Sequence, residues 1–341
     1  MDAKKVLLTG ISGFLGSHTA IQLLEKGYHV RGTLRNLERV SSIKDVIAKH
    51  TPFVDHLSFV EADLCTGNIW NDLMMDIDYV QHIASPFPRE LPKHEDELIL
   101  PAKEGILHIL KAAALHKVKR VVFTSSGAAV VYGKTKEQLQ HVMDESVWTD
   151  INYAKDLAPY FKSKTIAEAT AWEFMKTNPS TMEFVTVLPG AILGPVLEKD
   201  FGTSANIVIK LMDGSMPAVP QIGFEIIDVR SVADALIKAM ETPCATNNRY
   251  LISSGFLMLK DIGQILKKAY PANKIPTKEL PNFIVKLFSK FDSSLQPIMI
   301  DLGVKRRVNA NKAKNELNWQ PIALEEAVLS CAKSLFEQKI L

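Results

Sequence analysis

Three glycines spaced three residues apart, in Thr9-Gly10-Ile-Ser-Gly13-Phe-Leu-Gly16, separate an apolar run, Val6-Leu-Leu-Thr9, from an amphipathic run that reaches Lys26 and stops at Gly27. The order strand, glycine turn, helix leaves few folds open. Gly10 permits the tight turn, Gly13 lets a pyrophosphate approach the backbone, and Gly16 allows helix and strand to pack closely. Ser12, Phe14 and Leu15 complete the loop. The spacing is one residue longer than GxGxxG and points to a particular branch of dinucleotide folds.

Further apolar runs follow with helical periods between them, the pattern of a doubly wound parallel sheet. Strands are predicted at Tyr28 to Leu34, Leu57 to Glu61, Tyr79 to Ile83, Arg120 to Thr124 and Glu183 to Leu188. A long helix is predicted from Glu97 to His116, and another from about Ala158 to Lys176, ending before Asn178-Pro179. After Pro189-Gly190 the alternation loosens. The expected fold is therefore α/β: a Rossmann-type doubly wound parallel sheet over residues 1–190, with a smaller C-terminal substrate-binding lobe at 191–223 and 242–341. Phe224 to Val229 and the helix Ser231 to Met240, within 224–241, are expected to return to the first domain, and Val304-Lys-Arg-Arg-Val308 reads as a short basic strand.

At 341 residues the chain can bury a large core without a partner, so a monomer or homodimer is expected. Its net charge of +2 comes from interspersed charges with no basic block, which argues against nucleic acid as a partner. Cys65, Cys244 and Cys331 are scattered, an odd count without CxxC spacing that suits a reducing compartment. The N-terminus enters a strand at once, no secretory signal is read there, and no run approaches the ~18 apolar residues of a membrane span. A cytoplasmic protein is expected. With no HExxH, paired CxxC or GxSxG, metal and nucleophile chemistries find no support.

A dinucleotide site selective for NAD places Asp or Glu at the end of the second strand, whereas this chain has Arg31-Gly-Thr-Leu-Arg35-Asn36. A guanidinium there suits a 2′-phosphate, so NADPH is the expected cofactor; Arg39 or Lys44 would add a second positive group. Asp63 and Leu64, closing the third strand, fall where an adenine is held.

Tyr160 and Lys164 lie four residues apart on a predicted helix, so they project from one face. A cation beside the phenol favours phenolate; moving a hydroxyl from ~10 to roughly 7 represents about 4 kcal/mol. Ser126, in Thr124-Ser125-Ser126-Gly127 directly after the fifth strand, stands at the sheet edge where ligands of open α/β folds bind. A Ser there also suits plain turn chemistry. Together the three residues suggest hydride transfer to a carbonyl, with Tyr160 as general acid.

The chain resembles the extended short-chain dehydrogenase/reductases, in the group with dihydroflavonol 4-reductase, cinnamoyl-CoA reductase and NADPH-dependent aldehyde and methylglyoxal reductases. The stretches that carry the resemblance are the glycine loop, His82-Ile-Ala-Ser-Pro86, Val122-Phe-Thr-Ser-Ser126, Asp144-Glu-Ser-Val-Trp148, Tyr160-Phe-Lys-Ser-Lys164, Leu188-Pro-Gly190, Leu193-Gly-Pro195, Ile227-Asp-Val-Arg230 and Asn311 to Trp319. The resemblance implies a triad of Ser126, Tyr160 and Lys164, a 2′-phosphate ligand at Arg35, cofactor contacts at Ala84 and Ser85, and backbone contacts to the nicotinamide from Pro189, Ala191 and Ile192. His82 reads as packing.

Departures bear on the substrate. Dihydroflavonol reductases hold flavonoid hydroxyls with an Asn and a Gln at the places of Val131 and Glu225, and the cinnamoyl-CoA reductase motif before the Lys is absent. Phe87, Val130, Val131, Tyr132, Met212 and Met216 fit either an apolar substrate pocket or core. A nucleotide-sugar epimerase or dehydratase of the same fold is an alternative that the Arg pair opposes. A non-catalytic NADPH sensor is another, opposed by the presence of both Tyr160 and Lys164. The expected activity is NADPH-dependent reduction of aldehydes or ketones.

Overall fold

The computed structural model describes residues 3–85, 94–290 and 298–341. Phe87, a proposed pocket residue, and Pro86 lie outside them. Through the first half, strands β1 (Lys5–Thr9), β2 (His29–Leu34), β3 (Leu57–Glu61), β4 (Tyr79–His82), β5 (Arg120–Thr124) and β6 (Glu183–Pro189) alternate with helices α1 (Phe14–Glu25), α2 (Val40–Ala48), α3 (Ile69–Leu73), α4 (Asp96–Leu115), α5 (Ala128–Val131) and α6 (Pro159–Thr177). The second half contributes β7 (Ala191–Leu193), α7 (Ala205–Met212), β8 (Gly223–Asp228), α8 (Val229–Glu241), β9 (Arg249–Ile252), β10 (Gly255–Met258), α9 (Leu259–Ala269), α10 (Asn282–Phe288), α11 (Asn311–Glu316) and α12 (Leu324–Glu337).

The main sheet runs β3-β2-β1-β4-β5-β6-β9 and is parallel throughout. Its central strands are continuous apolar runs because both faces are covered. On one face Val6, Leu8, Val30, Val122 and Val185 pack under α1 and α8; on the other, Leu7, Val80, Val121 and Phe184 pack under α4 and α6. The chain leaves β1 toward β2 on one side and later places β4 on the other, so the strand order reverses at β1. In open α/β sheets that reversal opens a crevice at the carboxyl ends of the strands.

Element ends differ from the sequence reading by a residue or two, as helix and strand ends commonly do. Four differences are larger. The strand expected at Phe224 to Val229 is β8, and it belongs to a second, three-stranded sheet, β10-β8-β7, so only α8 returns to the main domain. β9, expected in the lobe, is the seventh strand of the main sheet, paired with β6. Ala313, Leu317 and Trp319 also sit in the main core, with the Trp319 indole N–H donating to the Ser231 carbonyl at 2.9 Å. Finally, 304–308 is not a strand: apart from one bridge from Val308 to Met143, it serves to bury Arg306, which reaches Asp156 and Asp301. The lobe has its own core, built by α7, α9 and α12 around Val208, Ile262 and Val328. Among the described residues, no helix is long and apolar enough to cross a membrane.

Candidate active site

Thr9, the last residue of β1, ties the two strands that flank the crevice. Its Oγ1 lies 2.8 Å from His82 Nδ1 and accepts from the backbone N–H groups of Ile83 and Ala84, each at 3.1 Å. His82 stacks on Phe123, and burial holds its imidazole down at about 3, so it is a neutral packing group. Gly10 has φ +75°, and a Cβ there would stand 3.0 Å from the Ala84 backbone, so only glycine fits this close approach. A Cβ on Gly16 would overlap the Gly10 carbonyl oxygen, while one on Gly13 would meet little beyond that oxygen at 3.4 Å. The turn is thus closed where it packs and open where a ligand would approach.

α1 starts at this turn with Gly13 as N-cap, no side-chain cap and no acidic residue in its first turn. Its leading amides are therefore uncapped by any side chain, an arrangement suited to a phosphate. Leu15 is buried, and Phe14 packs against both the main core and the lobe core, bringing the loop and the lobe together. The residues fit a dinucleotide.

Of the basic residues in and after β2, Arg35 is the one nearest the carboxyl end of the strand. It is exposed just past the end of the strand, with no ion pair among the described residues. Arg31 is a correction. It lies in the first half of β2, donates to the carbonyls of Leu73 and Met75 at 2.9 and 3.2 Å, and lines a separate cavity of about 160 Å³ with Lys5, His29 and His56. Arg39 is another, since Glu198 and Asp200 at 3.1 and 2.9 Å occupy its guanidinium; Lys44 is exposed. Asp63 caps its own turn by accepting from Cys65 N, and the Leu64 carbonyl meets His108 Nδ1 at 3.0 Å, both shortly after β3.

β5 ends at Thr124, and the chain turns there through Ser125 and Ser126 into α5. Backbone bonds from Ser125 N to Val187 O and from Gly127 N to Pro189 O, both 2.9 Å, hold this turn against β6. Ser126 Oγ accepts from Ala128 N at 3.1 Å, and its hydroxyl lies near enough to the Tyr160 phenol to favour phenolate. α6 opens with Ala158 extended and Pro159 in its first turn, where a missing N–H costs nothing, so Tyr160 enters at the very start of the helix. Lys164 lies one turn on, buried, its Nζ 5.9 Å from the Tyr160 ring centroid.

The electrostatics differ from the sequence expectation. Burial pushes the half-buried Tyr160 phenol up to about 12, with the nearby Ser126 hydroxyl pulling it the other way, and burial pulls Lys164 down to about 8. The loss of water around both side chains outweighs the attraction of the cation for phenolate. The consequence is a phenol that holds its proton at neutral pH, the form a proton donor needs.

The proposed substrate residues scatter. Tyr132 is core: it stacks on Phe161 at 3.5 Å between centroids and its hydroxyl donates to Asp301 at 3.2 Å. Val130 is fully buried, Val131 nearly so, and Met212 packs in the lobe core with Val208 and Leu211. Met216 borders that core. Glu225 is engaged by Ser253 Oγ and Val308 N. Ala84, Ser85, Ala191 and Ile192 are half-buried beside the carboxyl ends of β4 and β6. Sequence reasoning missed Glu168, a fully buried carboxylate on α6 two turns after Tyr160. Its signal was an acidic residue four after Lys164, on a face that otherwise buries Ala167 and Ala171.

Residues 6–253 match the family described as the NAD dependent epimerase/dehydratase family. An uncharacterized oxidoreductase of Schizosaccharomyces pombe is 32% identical over 99% of this chain and 98% of its own. A cinnamoyl-CoA reductase of Medicago truncatula is 30% identical over 92% of this chain and 97% of its own. Among solved structures, the yeast methylglyoxal/isovaleraldehyde reductase Gre2 complexed with NADPH superposes with a TM-score of 0.82 at 24% identity, covering 99% of this chain and all of that one, a likeness of fold.

Proposed function

The chain belongs to the NAD dependent epimerase/dehydratase family, as an extended short-chain dehydrogenase/reductase, and from that premise we propose that it is an NADPH-dependent reductase of aldehydes or ketones with Tyr160 as proton donor. The observation that carries this reading is that Ser126, Tyr160 and, one turn on, Lys164 with its Nζ 5.9 Å from the Tyr160 ring meet at the same sheet edge as the open glycine turn. NADPH, when bound, supplies the hydride. The amides that open α1, with Ser12 and Gly13, hold its pyrophosphate, and Arg35 takes the 2′-phosphate as a planar fork. Asp63 and Leu64 border the adenine, Ala84 and Ser85 the middle of the cofactor, and Pro189, Ala191 and Ile192 the nicotinamide.

Ser126 donates a hydrogen bond to the substrate oxygen and so holds it beside Tyr160. As charge builds on that oxygen, the Tyr160 hydroxyl gives up its proton to it. Lys164 binds the ribose and keeps positive charge next to the phenolate that results. Because Glu225 is held by Ser253 and Val308, it is no free partner for a flavonoid hydroxyl, which favours small carbonyl compounds.

A panel of carbonyls that includes methylglyoxal and phenylglyoxal, run with NADPH and NADH side by side, should show NADPH consumed in step with alcohol formed. Conversion of a UDP-sugar with the cofactor returned unchanged would replace this reading with an epimerase. Arg35→Ala should raise the Kd for NADPH about 10- to 100-fold, the worth of a hydrogen bond to a charged group, while NADH binding stays within about twofold. Equal weakening of both nucleotides would remove Arg35 from the phosphate site.

A further inference from the structure

Glu168 is fully buried on the inner face of α6, and its carboxylate gathers three side chains from the sheet and its strand ends and a fourth, Trp172, from its own helix. Ser125 Oγ donates to Oε2 at 2.7 Å, Thr186 Oγ1 to Oε1 at 2.8 Å, Arg249 Nε to Oε1 at 2.8 Å, and Trp172 Nε1 to Oε1 at 3.4 Å. Arg249, from β9, is itself fixed by the carbonyls of Glu145 and Val147 and lies 3.7 Å over the Trp148 ring. Ser125 is covalently next to Ser126, and Glu168 shares one helix with Tyr160 and Lys164. A single carboxylate therefore joins the turn that carries the proposed hydroxyl to the helix that carries the proposed acid.

We propose that Glu168 and Ser125 form a clamp of positioning residues that sets the Ser126–Tyr160 spacing, and that Arg249 and Thr186 anchor this clamp to the sheet without taking part in that spacing. The proposal rests on the reading of Tyr160 as proton donor. Its physical basis is that proton transfer depends steeply on distance, so a small slip between turn and helix lowers turnover without unfolding either. Removing Ser125's hydroxyl leaves Oε2 with the Arg249 Nη2 donor at 3.3 Å, so no charge is orphaned in the core.

The test is a set of variants assayed with NADPH and the best carbonyl substrate of the panel. Ser125→Ala should lower kcat by about tenfold while KM, the NADPH Kd and the melting temperature hold nearly constant, and Ser125→Thr should restore most of the loss. In a Ser126→Ala background, Ser125→Ala should add nothing, since the spacing it sets no longer matters. Thr186→Ala removes a bond of similar length to the same carboxylate but does not touch the Ser126 turn, and should keep kcat within about twofold. If Ser125→Ala does not fold, Ser125→Cys carries the same test. An unchanged kcat in Ser125→Ala, a loss that simply adds to that of Ser126→Ala, or an equal loss in Thr186→Ala would overturn the clamp. Tyr160→Phe, run alongside, keeps the outcomes apart: if it is inactive while Ser125→Ala is not, the clamp alone fails, and if it stays active the proton-donor reading fails first.

Discussion

Tyr160→Phe should lower carbonyl reduction by about 10²- to 10⁴-fold, the range of a positioned proton donor, while NADPH still binds. The ring of Phe keeps the edge contact with Phe161 and the packing at the start of α6, so only the hydroxyl is lost. Fluorescence titration of NADPH set against kcat for the same preparation separates the two effects, and turnover within tenfold of the parent would remove Tyr160 as the acid. The pH dependence sharpens the test. Tyr160, pushed up to about 12, keeps its proton across the working range, whereas Lys164, pulled down to about 8, loses its charge as pH rises through that value. The alkaline fall of reductive kcat should therefore come near pH 8, and Lys164→Met should abolish that limb along with most of the activity. A fall only near pH 12 would mean that Lys164 does not support the phenol.

What the chain reveals before it folds follows from how local each device is. The glycine turn, the central strands and α6 are legible because their determinants lie within one element: apolar runs for strands buried on both faces, a glycine where a Cβ would strike the neighbouring backbone, a Pro in the first helical turn. The arginines show the limit. Arg31 and Arg35 look interchangeable as a pair after an apolar run, but four residues of strand separate them by about 13 Å. That distance puts Arg31 beside the carbonyls of Leu73 and Met75 and leaves Arg35 at the carboxyl edge. β9 was missed because four residues headed by an arginine do not look like an inner strand, yet Arg249 is neutralised by Glu168, which lies 81 positions earlier in the chain. Tyr132 and Met212 could be pocket or core on composition alone; the partners that make them core, Phe161 and Asp301 for the first and the α7 face for the second, are set by tertiary packing. The phenol's direction of shift was misread for a related reason. Spacing along a helix gives the cation's proximity but not the depth of burial that opposes it.

Arg306→Leu should destabilise the protein by about 3–5 kcal/mol at pH 7, the usual cost of breaking a buried ion pair from one side. The guanidinium is 6% exposed and holds two carboxylates at once, Asp301 through Nε at 2.8 Å and Asp156 through both terminal nitrogens, one of them at 2.9 Å. It also donates to the carbonyls of Val131 and Ile300 and lies 4.2 Å over the Tyr132 ring. With leucine in its place, Asp156 keeps the Lys134 amide and Asp301 keeps the Tyr132 hydroxyl, but both carboxylates lose their ion pair. The sign of the pH effect follows from Asp301, whose pKa burial raises while the Arg306 hydrogen bond and charge hold it down. An acid whose folded pKa lies above its unfolded value destabilises the fold once pH exceeds that range, and without Arg306 the folded value climbs further. The stability lost in Arg306→Leu should therefore be largest near neutrality and shrink as pH falls toward Asp301's raised pKa, where the folded state takes up the proton. Arg306→Lys should fall between leucine and the parent, keeping the charge but not the fork that spans both carboxylates. Since Val131 and Tyr132 lie at the end of α5, which begins just after Ser126, kcat should drop in the leucine variant as well, with the NADPH Kd less affected. Denaturant unfolding at pH 5 and pH 7 decides the matter: equal midpoints for parent and Arg306→Leu, or a loss that grows on acidification, would mean that this arginine does not neutralise the buried carboxylates.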